Sequence, residues 1–172
     1  MKNIATVATR SNVYLPMAAM ILTAALAVPA AAQNHLPFKG TFQGNDTESP
    51  GPSPTTVLLR TTATGTGTHL GQFSFTQELT INHANLTDTG SAQWIAANGD
   101  LIDTIVVGSA IPGNVVFTIT EIHTITGGTG RFSGAQGSFT VHRTLVVTPS
   151  DDGTYITSGW FEGSITSRGA AH

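Results

Sequence analysis

Glu121 and His123 are the pair in this sequence best equipped for proton transfer. Two residues apart on a strand, side chains leave the same face. A carboxylate beside an imidazole can pass a proton to or from a substrate, or contribute to a metal site. The plainer reading is two solvent-facing residues whose phase a bulge has swapped. Arg143 shares their phase on a later run. It makes the third member of a candidate catalytic set. Gln77, in step with Phe73, Phe75, Leu79 and Ile81, and Asp103, between Leu101 and Ile105, are candidate ligand-binding residues. The other histidines, His35, His69, His83, His142 and His172, form no His-Glu-x-x-His or His-x-His pattern, so no metal is expected. His69 lies in a glycine-broken turn and reads as a strand-end cap.

These polar residues fall among apolar ones. Val115, Phe117, Ile119 and Ile125 share the phase of Glu121 and His123. Phe139, Val141, Leu145 and Val147 share that of Arg143. The apolar phase should face a core, and buried charges are costly unless paired. The charged residues must therefore gather at one wet end of the core, or bulges must re-aim them.

The elements that position them read as strands throughout, because the apolar period is two and nowhere 3.6. The expected strands are residues 38–44, 56–64, 72–83, 91–97, 101–109, 115–126, 138–147 and 154–166. Residues 45–55 hold three prolines and no apolar period, and read as a loop. Asn98-Gly99-Asp100 reads as a type I′ hairpin turn. Eight strands joined by short turns predict an all-β, antiparallel up-and-down barrel, with a two-sheet jelly roll as the competing arrangement.

Residues 124–139 join the sixth and seventh strands and carry Gly127, Gly128, Gly130, Gly134 and Gly137 around Phe132. Glycine at that density marks backbone at positive φ or in close approach. The segment reads as a hairpin with Phe132 as an apolar plug. Gly127-Gly128-Thr129-Gly130-x-Phe132-x-Gly134-Ala135-x-Gly137 resembles the glycine-rich segment of the allene oxide cyclase and dirigent families. Exported bacterial proteins of uncharacterised function share that segment, and a run similar to Thr68-His69-Leu70-Gly71. The resemblance implies an eight-stranded antiparallel barrel. It carries no activity, since those families' chemical residues lie in segments unmatched here. The plant cyclases use a cavity cysteine, and this chain has no cysteine.

Residues 1–32 read as a secretory signal peptide: Lys2 and Arg10, then an apolar run over 13–28, Pro29, and Ala30-Ala31-Ala32 before Gln33. An uncleaved anchor is the rival reading. Cleavage would leave residues 33–172 as one domain without a transmembrane segment, secreted or periplasmic. Five basic residues would then face ten acidic ones, a net charge of −5. That balance argues against nucleic acid as a partner. Asn45-Asp46-Thr47 and Asn85-Leu86-Thr87 match a glycosylation pattern that often arises by chance. Two functions are compatible with these observations. One is an exported, non-catalytic barrel that binds a small lipophilic ligand or serves the envelope. The other is a cofactor-free isomerase or cyclase acting in the barrel cavity. Neither calls for a cofactor.

Overall fold

The computed structural model describes residues 35–166. The expected signal peptide and the tail beyond Thr166 lie outside the described residues. The described chain is a closed barrel of eight antiparallel strands in sequence order. They are β1 (Leu36–Pro50), β2 (Thr56–Gly67), β3 (Gly71–Asn82), β4 (Thr87–Ile95), β5 (Leu101–Ile111), β6 (Val116–Gly128), β7 (Gln136–Val146) and β8 (Tyr155–Thr166). β8 pairs back onto β1 from Leu36↔Ile165 to Asp46↔Tyr155. Closure leaves no open sheet edge, which suits strands rich in Thr, Val and Ile. Burial alternates along each strand, as in Leu59, Thr61 and Ala63 of β2.

Two local expectations are corrected. Residues 45–50 are strand, not loop: Asn45↔Thr62 through Pro50↔Val57 continue the β1–β2 ladder. The run is hard to recognise because its inward residue is a charged one, Asp46, and its outward residues are polar. Pro50 is tolerated as the strand's last residue. The turn after β4 is not type I′. Gly99 has φ 86°, but Asn98 is not at positive φ, as type I′ requires.

The barrel interior has two halves. Connections β2–β3, β4–β5 and β6–β7 lie at one end, and that end is plugged. Between β6 and β7 a single 3-10 turn, Gly130–Phe132, drives the Phe132 ring fully inside. Leu70 and Ala135 close the same end. Below them the aromatic rings interlock. Trp94 stacks on Phe75 at 4.4 Å and meets Phe139 and Phe161 edge-on at 5.2 and 5.1 Å. Phe38 meets Phe139 at 4.9 Å. Edge-to-face and offset contacts of this kind add to the burial of large apolar rings. The other half, toward residues 51–55, 83–86, 112–115 and 147–154, holds the charges.

Candidate functional site

The mouth half is built around Arg143 of β7. Glu121 is on the neighbouring strand, placed diagonally because Ile119 is opposite Arg143 and Glu121 is opposite Val141. Arg143 Nε and Nη2 both donate to Glu121 Oε1, at 3.0 and 2.9 Å. Nη1 donates to Asp46 Oδ2 at 2.6 Å and to Thr157 Oγ1 at 3.2 Å. Gln77 Nε2, from β3, donates to the same Glu121 Oε1 at 3.1 Å. Four inward-facing strands and β1 thus converge on one guanidinium and one carboxylate. All five side chains are buried. Charge-assisted hydrogen bonds of this kind offset part of the cost of removing the ions from water.

His123 is also fully buried, one layer toward the aromatic half. Its ring stacks on Phe139 at 4.9 Å, and Nδ1 is 3.1 Å from Thr104 Oγ1. Nε2 stands 3.7 Å from Glu121 Oε2, an ion-pair separation and too long for a hydrogen bond. The structure therefore brings Glu121, His123, Arg143 and Gln77 together inside the barrel, with no bulge re-aiming them. Asp103 is not among them. It lies on the outer wall, where Gln93 Nε2 donates to it at 3.0 Å. The inward residues of β5 are Ile102, Thr104 and Val106. Both faces of β5 are apolar in sequence, since Ile105 and Val107 point outward, so periodicity could not choose between them. His69 does not cap a strand end. It takes a left-handed conformation at φ 62°, and its neighbour Thr68 bridges Pro37 and Lys39 instead.

Two acidic residues join the site that the sequence reading passed over. Asp46 sat in the supposed loop, although it keeps step with Phe38 and Phe42. Asp88 precedes the expected start of the fourth strand, in step with Ala92 and Trp94. Asp88 is opposite Gly108 on β5, and Gly108 is opposite Glu121 on β6. A Cβ on Gly108 would fall 2.6 Å from Asp88 Oδ1 and 2.7 Å from Glu121 Cγ. The glycine is the gap through which the two acids approach.

Burial is the first influence on each acid, and the neighbours decide the outcome. Burial and the nearby Glu121 charge push Asp88 up to about 7. Burial also raises Asp46, outweighing Arg143. Burial would raise Glu121 too, but the Arg143 charge, aided by His123 and by the Arg143 hydrogen bonds, holds it down at about 2. Burial works against the Arg143 charge, and Glu121 and Asp46 reverse it, raising the guanidinium above its ordinary value.

Above this network the mouth encloses a cavity of about 60 Å³. Its lining is mostly apolar, with Leu59, Ile81, Leu86, Phe117, Ile119 and Leu145 the large side chains, and its polar lining is Glu48, His83, Asp88 and Arg143. Glu121 and His123 do not line it. Larger hollows of about 840 and 510 Å³ are lined by residues of β1 to β4, the first also by Ser158 of β8, and neither touches Glu121, His123 or Arg143. Among the described residues, no three His, Asp or Glu side chains gather as a metal site.

No protein-family model and no curated protein matches the chain. Among solved structures, the chain is similar to a pterocarpan synthase dirigent protein, with a TM-score of 0.56 at 13% identity over 92% of this chain and 100% of that one. The fold is a dirigent-like eight-stranded barrel. At that identity the likeness speaks for the fold alone.

Proposed function

We propose that this protein is an exported, non-catalytic binding barrel that takes the end of a small lipophilic molecule into its mouth. The observation that carries this reading is the mouth itself: a small cavity with mostly apolar walls and a few polar groups, the buried Asp88 and Arg143 with Glu48 and His83. Apolar walls with a few placed polar groups are the usual make-up of a small-molecule site. The rest of the interior is filled, by rings on one side and by the ion network on the other, so a ligand reaches no deeper. The dirigent-like fold agrees with a role in holding or directing a molecule.

A cofactor-free isomerase or cyclase is the second reading. It is favoured by Asp88, an acid near 7 at the cavity wall, and by the synthase named in the similar structure. It is weakened by His123 and Glu121, which stand behind the cavity and face no substrate. Native mass spectrometry of the protein purified from its own host tests the binding reading. We expect a retained small molecule, lost in the variant Leu145→Arg, which places a charge in the mouth. A bare protein mass in the wild type, with no apolar molecule taken up on titration, would remove it. The intact mass of the same sample reports whether residues 1–32 are absent, as export with cleavage requires.

A further inference from the structure

We propose that the mouth selects a cationic amphiphile: a primary ammonium on an alkyl chain, its head seated against Asp88 and its chain against the apolar wall. This rests on the binding reading above and names its ligand class.

The argument begins with the donors of Arg143. Among the described residues lining the cavity its guanidinium is the permanent cation, and it is already engaged. Four hydrogen bonds run to Glu121, Asp46 and Thr157. Three acids, Asp46, Asp88 and Glu121, surround that one guanidinium. Asp88 is the acid left over. It is 5% exposed, it lines the cavity, and its Oδ1 has no hydrogen-bond partner. A buried polar oxygen without a donor is costly. A ligand that brings donors and positive charge relieves it. A neutral alcohol brings one donor and no charge. A carboxylate brings charge of the wrong sign into a site with surplus acid.

Size and surroundings fit the same head group. A cavity of about 60 Å³ is on the order of two water volumes, enough for an ammonium and its first carbons. Ile81, opposite Asp88 on β3, and Leu86, two residues before it, share the cavity wall with Phe117, Ile119 and Leu145. The titratable groups around Asp88 are Glu121 beyond Gly108 on β6, Arg143 on β7, and Glu48 and His83 on the cavity wall from β1 and the β3–β4 turn. None of these supplies a second fixed cation. Because burial and Glu121 push Asp88 up to about 7, it must lose its proton to meet an ammonium as an anion.

The test is calorimetric titration of the wild-type protein with n-hexylamine, 1-hexanol and hexanoate at pH 8, repeated at pH 6. We expect the amine to bind at least tenfold more tightly than the alcohol, and the carboxylate not to bind. Between pH 8 and pH 6 the amine should weaken by about tenfold as Asp88 takes up its proton, while the alcohol should change little. Asp88→Asn should abolish the amine's advantage and leave alcohol binding in place. The pH series needs no variant, so a poorly folded Asp88→Asn protein would not spare the proposal. Equal binding of amine and alcohol at pH 8 would overturn the cation preference while leaving the binding mouth intact. Failure of all three probes to bind would overturn both.

Discussion

The two halves of the barrel interior solve the same problem by opposite means. In the plugged half, Trp94, Phe75, Phe139, Phe161 and Phe132 need only fill space in the right shape. In the mouth half, Arg143, Glu121, Asp46, Gln77 and Thr157 need one another. Removing a ring leaves a hole that neighbours can partly close. Removing one ion leaves another ion buried without its partner, which nothing nearby can repair. The lesson is that the ionic half is the more brittle although it holds fewer large side chains.

The sharpest way to break this contrast is Arg143→Met. It strips the cation from Glu121 and Asp46 together, so we expect a loss of about 5 kcal/mol in urea unfolding, at the top of the range for a broken buried pair. Adding Glu121→Gln should recover only part of that loss, because Asp46 stays unpaired; adding Asp46→Asn as well should recover more. A double variant as stable as the wild type would show that Asp46 contributes nothing. In the plugged half, Phe132→Ala should cost about 3–4 kcal/mol by the same measurement, since the ring is fully buried at the end of the barrel.

Gly130→Val should cost about 1–3 kcal/mol in thermal unfolding. Gly130 sits at φ 54°, and a Cβ there would also press on Asp100. An unchanged melting temperature would mean that the 3-10 turn is not what seats Phe132. The pH dependence of the buried acids belongs to the mouth half alone. Asp88 and Asp46 are raised in the folded protein. Their contribution is full below their ordinary 3.8 and is lost as pH rises, for Asp88 up to about 7. Glu121 is lowered. Its contribution is full above its ordinary 4.5 and is lost as pH falls toward about 2. The melting temperature should therefore peak at roughly pH 4–5, and a profile still rising from pH 5 to 7 would contradict the raised acids. The smallest effect is Asp103→Asn, which should change stability by less than about 0.5 kcal/mol, because Asp103 is on the outer wall with only Gln93 as partner.

Much of this contrast could be read from the sequence, and its gaps have physical causes. Period two gave the eight strands, and the phases of β3, β6 and β7 put Gln77, Glu121, His123 and Arg143 in step with the core, but the plainer expectation turned Glu121 and His123 out to solvent by a bulge, and the closed barrel has them buried instead. Glycine density located the turn that seats Phe132. Asp46 and Asp88 escaped for the same reason. Each lies at the mouth end of a strand, where an inward acid replaces the apolar residue that would have marked the strand. Their environment is fixed by closure: Asp46 meets Arg143 by way of β8, and Asp88 meets Glu121 across Gly108. No pattern within a single strand records such meetings. Asp103 failed differently, because β5 is apolar on both faces and only the closed barrel decides which is inside.

The pairing of β8 with β1 also sets a schedule. The first strand made is sealed by the last, and the Arg143 partner of Asp46 comes 97 residues after it. While the chain is being synthesised, β1 can pair with β2 on one side only, and Asp46 has no cation to meet. Ladders that join the two ends of a chain form late, because loop closure must come first. The β1–β8 seam is therefore expected to close late. Until then its unfinished edges are the surface on which copies can stick to one another.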